Sequence, residues 1–125
     1  MIGFVMVGTN NLDRAVNFYD ILLDAIELKR VVTNEKYAGY ASKEKPEQVE
    51  FYVTNPVNKD KATFGNGTQI SFFVNSQDLV NNFYNTGIKL GGKDEGAPGI
   101  RSGDYYCYLR DLDGNKICAF AKIPY

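Results

Sequence analysis

Residues 10–19 read NNLDRAVNFY, and residues 75–84 read NSQDLVNNFY. Asn10 or Asn11 is suited to cap a helix, and apolar side chains from Leu12 to Ile26 recur every three or four residues, which predicts an amphipathic helix over residues 12–24. The sequence therefore predicts an internal repeat with one helix in each half. Five of the ten positions are identical at a spacing of 65, where Asn10, Asp13, Asn17, Phe18 and Tyr19 recur as Asn75, Asp78, Asn82, Phe83 and Tyr84.

Short apolar segments around each helix predict strands at 2–8, 27–33, 36–42 and 48–54 in the first half. The spacing of 65 places residues 68–74 opposite the first strand, and a spacing of 68 places residues 116–122 opposite the last. Residues 55–67 join the halves, and the glycine-rich residues 93–103 are predicted as a loop, either a plain surface loop or a mobile lid. The prediction is an α+β fold in one domain, 1–125. It consists of two tandem βαβββ modules (about 1–56 and about 66–125) that form a curved mixed sheet around a central cleft, with the helices outside.

Composition excludes several classes of function. The 125 residues include no histidine, which excludes imidazole-based catalytic triads and metal sites built on imidazole. The formal net charge is −1 and no basic run exceeds two residues, so a nucleic-acid partner is not expected. The apolar stretches are too short to cross a membrane and no signal peptide is evident, so we expect a cytoplasmic protein.

Two further features of the sequence, the pair of cysteines and the last predicted turn, each allow two interpretations. Cys107 and Cys118 form no CxxC pair, and we expect two free thiols; if Arg110 pairs with Asn115, the two cysteines lie opposite each other. Residues 111–115 resemble the start of a calcium loop, but the position of the glycine favours a hairpin turn.

Three stretches carry a resemblance to a known family: residues 11–20 (NLDRAVNFYD), residues 65–68 (GNGT) and residues 110–117 (RDLDGNKI). Together with the tandem βαβββ pattern, they make nearly the whole chain resemble the glyoxalase/bleomycin-resistance/dioxygenase family, or vicinal oxygen chelate superfamily. The resemblance implies the fold above and a homodimer. It leaves the function open, because this family includes lyases, ring-cleaving dioxygenases, antibiotic-modifying transferases and drug-sequestering proteins.

The resemblance also implies metal-ligand positions in the first and last strands of each half, which map onto Phe4, Glu50, Gln69 and Cys118. Where the family usually has histidine, this chain has Phe4 and Gln69, and Cys118 replaces a final glutamate. The spacings of 65 and 68 relate Phe4 to Gln69 and Glu50 to Cys118. Because only Glu50 is a strong oxygen ligand, we expect no cofactor, with a residual divalent metal at Glu50, Gln69 and Cys118 as the alternative.

Aromatic residues on the inner strands predict a stacking surface for a flat or amphipathic small molecule, which only some of them contact. Glu50, if it faces the cleft, is the candidate catalytic base or the partner of a cationic ligand group. Arg101 is suited to a carboxylate or phosphate, and Cys118 is either a nucleophile or a small buried residue. The aromatic candidates are Phe4, Tyr37, Tyr40, Tyr52, Tyr105, Tyr106, Tyr108 and Phe120, and the polar ones are Gln69, Arg101 and Cys118.

Three functional hypotheses remain, of which the third is a degenerate subunit of a larger assembly that dimerises but binds no ligand. The first is a metal-free small-molecule-binding protein with an aromatic cleft. The second is an enzyme (a lyase, isomerase or dioxygenase) that uses a residual divalent metal or Glu50 as base.

Overall fold

A computed structural model describes residues 1–124, so the last residue of the predicted domain, Tyr125, lies outside the described residues. Two βαβββ modules follow each other, as predicted. The first contains β1 (Val5–Gly8), α1 (Leu12–Asp24), β2 (Leu28–Thr33), β3 (Tyr37–Ser42) and β4 (Val49–Thr54). The second contains β5 (Ile70–Phe73), α2 (Gln77–Lys89), β6 (Lys93–Arg101), β7 (Asp104–Arg110) and β8 (Lys116–Ala121).

The two helices confirm the repeat. Each has 13 residues, and their first residues are 65 apart in the sequence. The side chain of Asn11 accepts a hydrogen bond from the backbone N–H of Arg14 at 3.1 Å, and that of Ser76 accepts one from Leu79 at 3.2 Å. Equivalent N-caps therefore start both helices, because a side-chain oxygen satisfies an N–H that has no partner inside the helix. Among the described residues, no helix is long and apolar enough to cross a membrane.

The strands form two separate four-stranded sheets that remain open. Their orders are β1-β4-β3-β2 and β5-β8-β7-β6. In each sheet the first strand pairs in parallel with the last strand of its module, and the other pairs are antiparallel. The α+β class and the tandem βαβββ order are thus confirmed, and the helices of the two modules also contact each other.

The prediction of a loop or lid at residues 93–103 is wrong. Residues 93–101 form strand β6, which pairs with β7 and turns into it at Ser102 and Gly103. Two irregularities in the register interrupt this pairing, one between Asp94 and Gly96 and one between Gly96 and Gly99. Bulges of this kind hide the alternation of polar and apolar residues that identifies a strand in a sequence.

A single hydrophobic core connects the modules on the helix-covered side of each sheet. The rings of Phe51 on β4 and Phe72 on β5 are 5.4 Å apart. A Cβ atom on Gly87 of α2 would lie 3.5 Å from Leu22 of α1 and 2.3 Å from Leu109 of β7, so glycine is what allows this close approach. The opposite face of each sheet, here called its open face, carries the candidate site.

Candidate functional site

A row of four aromatic rings crosses the open face of the second sheet. Alternate residues of β7 and β8, such as Cys107, Leu109 and Ile117, point into the core, so Tyr106, Tyr108 and Phe120 lie on the other face. The ring centroids are 5.1 Å apart for Phe73 and Phe120, 5.2 Å for Phe120 and Tyr106, and 6.0 Å for Tyr106 and Tyr108. Tyr106 is nearly parallel to both Phe120 and Tyr108, at 13° and 6°. We call Phe73, Phe120, Tyr106 and Tyr108 the aromatic row.

Two cations lie at the Tyr108 end of the aromatic row. The ammonium nitrogen of Lys116 is 5.0 Å from the centroid of the Tyr108 ring, and the guanidinium carbon of Arg101 is 5.3 Å from it. Arg101 donates hydrogen bonds to the carbonyl oxygens of Ala97 at 2.7 Å and Tyr106 at 2.8 Å. The guanidinium predicted to bind an anion is therefore engaged by the backbone of β6 and β7.

The open face of the first sheet is also aromatic. The ring of Tyr52 on β4 is 5.1 Å from that of Phe4 and 5.5 Å from that of Tyr37. Phe4 and Met6 are about half exposed, at 56% and 47%. Each module therefore presents an apolar face that no other part of residues 1–124 covers.

A cleft of about 590 Å³ lies where the modules meet, and it contains two of the predicted polar residues, Glu50 and Gln69. Glu50 is exposed and is the extra residue of a β-bulge, since Tyr40 pairs with Phe51 and Ala41 with Val49. Gln69 donates a hydrogen bond from its amide nitrogen to the Ser71 hydroxyl at 2.8 Å. The remaining lining residues are Ile2, Val5, Ile26, Leu28, Ile70, Ser71, Phe72 and Phe73.

Phe73 connects this cleft to the aromatic row, because it lines the cleft and packs against Phe120. Neither Phe73 nor Ser71 was among the residues predicted from the sequence. A signal for them existed, since they lie two and four residues after Gln69, which directly precedes β5, and alternate residues of a strand share a face.

The two cysteines lie on opposite faces of the second sheet. The register pairs Tyr108 with Cys118 and Cys107 with Ala119, so the expectation that the cysteines face each other is wrong by one residue. Both are free and buried, in agreement with the prediction of two free thiols. Burial raises the pKa of Cys118, and the hydroxyl of Ser71 and the charge of Lys116 oppose this only in part. A protonated thiol is a poor nucleophile, so Cys118 resembles a small apolar residue in this environment.

Two of the predicted aromatic residues point away from the others. The hydroxyl of Tyr105 donates a hydrogen bond to Asn81 on α2 at 2.8 Å, on the helix side of the sheet. Tyr40 is fully buried in the core and its hydroxyl donates to Asp20 at 2.8 Å. The structure thus brings Tyr106, Tyr108 and Phe120 together, and Phe4, Tyr52 and Tyr37, but neither Tyr105 nor Tyr40 joins either group.

The donor atoms at the four family metal positions do not fit a metal site. Phe4 has no donor atom, Gln69 offers one amide oxygen, and Cys118 is buried with a raised thiol pKa. A metal ion of either the hard or the borderline class needs several oxygen, nitrogen or thiolate ligands. Within residues 1–124, no group of three or more Cys, Asp or Glu side chains is placed to hold an ion.

The internal repeat relates these positions differently from the prediction. Strand pairing matches Val5 with Phe51 and Ile70 with Ile117, which relates the last strands by a spacing of 66 instead of 68. The backbone hydrogen bonds from Thr9 to Thr54 and from Val74 to Phe120 give the same spacing. Glu50 therefore corresponds to Lys116, and Cys118 corresponds to Tyr52.

A family model described as the Glyoxalase/Bleomycin resistance protein/Dioxygenase superfamily matches residues 1–119. The chain belongs to this superfamily. A search of curated proteins gives no match.

Solved structures of the glyoxalase/bleomycin resistance superfamily share this fold. A glyoxalase/bleomycin resistance protein from Albidiferax ferrireducens T118 is 39% identical with a TM-score of 0.89, and the match covers 98% of this chain and 99% of that chain. A lactoylglutathione lyase from Agrobacterium tumefaciens is 17% identical (TM-score 0.69, covering 97% and 92%). The fosfomycin resistance protein FosX from Mesorhizobium loti is 13% identical (TM-score 0.71, covering 98% and 92%). The last two similarities concern the fold alone.

Proposed function

We propose that this glyoxalase/bleomycin-resistance protein binds a small, flat molecule in the cleft, without a metal ion. The observation that supports this most directly is the continuity between the aromatic row and the cleft through Phe73. Flat ligands gain apolar contact and ring stacking on such a surface. Glu50 and Gln69 supply polar contacts, with Glu50 accepting a hydrogen bond from a hydroxyl or amine of the ligand.

The proposal includes a homodimer in the cytoplasm. Phe4, Met6 and Phe73 leave both open faces apolar and exposed, at 56%, 47% and 63%. A second copy that covers these faces would remove that surface from water and close the site around the ligand. The two free thiols agree with a reducing compartment.

Light scattering coupled to gel filtration tests the dimer. We expect a mass of twice the 14.0 kDa of one chain. Met6→Glu places a charge on the exposed apolar face of the first sheet and is expected to give the monomer, whereas Ile21→Glu, on an equally exposed part of α1, leaves the dimer intact. A wild-type monomer at all concentrations would contradict this part of the proposal.

Binding is tested with 2-naphthalenemethanol, a flat fluorescent alcohol, and with protein treated with EDTA. We expect saturable binding that Phe120→Ala weakens about tenfold, which corresponds to about 1.4 kcal/mol. Phe64→Ala removes an exposed ring outside the row and is expected to leave the affinity unchanged. Glu50→Gln is expected to weaken binding about threefold through the loss of a charge-assisted hydrogen bond, while the same change at the exposed Glu44 has no effect.

The same samples address the enzymatic alternative. Wild-type protein is analysed for bound metal by mass spectrometry, and its thermal stability is measured with Zn²⁺, Mn²⁺, Ni²⁺ and Fe²⁺. We expect no stoichiometric metal, no stabilisation and unchanged probe after incubation. Stoichiometric metal that is lost in Glu50→Ala would overturn the metal-free proposal and favour a lyase, isomerase or dioxygenase.

A further inference from the structure

Lys116 stands out among the charged groups on the open face of the second sheet. It lies on β8 at the end of the aromatic row, with its ammonium nitrogen 5.0 Å from the Tyr108 ring centroid, and its side chain is partly accessible. Ile117, the next residue, pairs with Ile70, which follows Gln69. Lys116 and Gln69 therefore lie at the same end of the sheet.

Two other cations on this side of the sheet are paired with carboxylates. Lys122 forms an ion pair with Asp104 at 3.0 Å, and Arg110 forms one with Glu95 at 2.9 Å. The guanidinium of Arg101 donates to backbone carbonyl oxygens. Within residues 1–124, no carboxylate lies within ion-pair distance of Lys116, so its ammonium is held against an aromatic ring while no carboxylate occupies its hydrogen-bonding groups.

A cation beside a row of rings selects for a particular ligand. The rings favour a flat apolar body, and the ammonium favours an anionic group attached to one end of that body. The hydrogen-bonding groups of a lysine ammonium remain available when the cation contacts only a ring face. Both preferences are met by one molecule that stacks on the row and extends its charge towards Lys116.

We propose that the ligand is a planar aromatic carboxylate, with Lys116 as the partner of the carboxylate. This inference rests on the proposed function and specifies its ligand class. Glu50 occupies the position in the first module that corresponds to Lys116 in the second. Its carboxylate favours a hydrogen-bond donor or a cationic group on the ligand, whereas Lys116 favours an anionic group. The two modules would thereby distinguish the two ends of the ligand.

The experiment compares 2-naphthoate with 2-naphthalenemethanol, which has the same ring system without the charge. In wild-type protein we expect 2-naphthoate to bind about tenfold more tightly. Lys116→Met should remove this advantage and leave the affinity for the alcohol within about twofold. Lys116→Arg should keep it, and Lys89→Met, at the exposed end of α2, should change neither affinity. Raising the salt to about 0.5 M should weaken binding of the carboxylate more than that of the alcohol.

The outcomes separate the two proposals. If the alcohol binds through Phe120 but the carboxylate has no advantage, the ligand class is wrong and the proposed function stands. Equal losses for both probes in Lys116→Met would show a structural role for the lysine and also overturn the inference. If neither probe binds, both proposals fall.

Discussion

The hydroxyl of Tyr19 on α1 donates a hydrogen bond to Oδ2 of Asp111, 2.5 Å away on the turn between β7 and β8. This contact joins the first module to the second. Asp111 also accepts hydrogen bonds from the backbone and side chain of Asn115 at 2.9 Å, and Asn115 donates to the carbonyl of Gly8 at 2.9 Å. Burial and the neighbouring Asp111 hold the pKa of Tyr19 well above its usual value, so the phenol keeps its proton.

Tyr19→Phe tests the contribution of this contact to stability. The change leaves the ring in place but removes a hydrogen bond to a buried carboxylate, so we expect the free energy of unfolding to fall by about 1–3 kcal/mol. Chemical denaturation measures the difference. Tyr84→Phe is the control, because Tyr84 is the counterpart of Tyr19 in the repeat and its hydroxyl donates to the exposed Asp94 at 3.0 Å. A loss at Tyr84 as large as that at Tyr19 would contradict the assigned role.

The buried carboxylate also predicts a dependence of stability on pH. Burial raises the pKa of Asp111 above its ordinary value of 3.8, and the hydrogen bonds from Tyr19 and Asn115 only partly oppose this. The folded protein therefore binds the proton more tightly than the unfolded chain, and the contribution of Asp111 to stability falls as the pH rises through this window. Denaturation of wild type and Asp111→Asn from about pH 3.5 upwards should show wild type losing stability relative to the variant. A constant difference, or a change in the other direction, would show that Asp111 does not titrate this way.

Substitution of Gly87 by alanine tests the packing between the modules. Alanine at this position would place a Cβ 2.3 Å from a fully buried Leu109 methyl carbon, which must then move. Overpacking typically costs about 1–3 kcal/mol, whereas alanine gains about 1 kcal/mol in a helix. We expect Gly87→Ala to be destabilising overall in thermal or chemical unfolding. Asn85→Ala, on the exposed side of the same helix, should be neutral or slightly stabilising.

The thiols should be unreactive in the folded protein. Burial raises the pKa of Cys107 to about 12 and also raises that of Cys118, so little thiolate is present near neutral pH. Mass spectrometry after treatment with iodoacetamide should show no modification in the native state and two modifications in guanidinium chloride. Lys45→Cys, in the exposed loop after β3, is a positive control that should react at once. Rapid native labelling of Cys118 would mean that the cleft opens to it.

The helices and most strands could be predicted from the sequence because their signals are local. The apolar positions of α1 and the capping residues Asn11 and Ser76 depend on near neighbours in the chain. Strand β6 could not be predicted, since Gly96, Pro98 and Gly99 conceal a pairing that depends on β7. The separation of the strands into two open sheets depends on packing between segments that are distant in the chain, so local sequence signals do not reveal it.

The candidate site could be predicted only in part, because a strand repeats every two residues. Moving the last strand by two positions keeps every side chain on its face, so matching Glu50 to Cys118 instead of Lys116 was consistent with the sequence pattern. An error of one position reverses the face, which is why the cysteines were expected to face each other. Inter-strand register depends on contacts between residues that are distant in sequence.

The irregular edges of the two sheets have a consequence for behaviour at high concentration. At one edge, β6 carries Pro98, which has no N–H to donate, and two breaks in register; at another, β2 carries Lys29 and Arg30 beside its own irregularity. The remaining edge strands, β1 and β5, have only four residues each. Edges of this kind are poor templates for adding strands from other chains. The chain can therefore expose large apolar faces and still resist fibril formation. Overexpression should yield protein in particles of defined size and not amyloid-like aggregates.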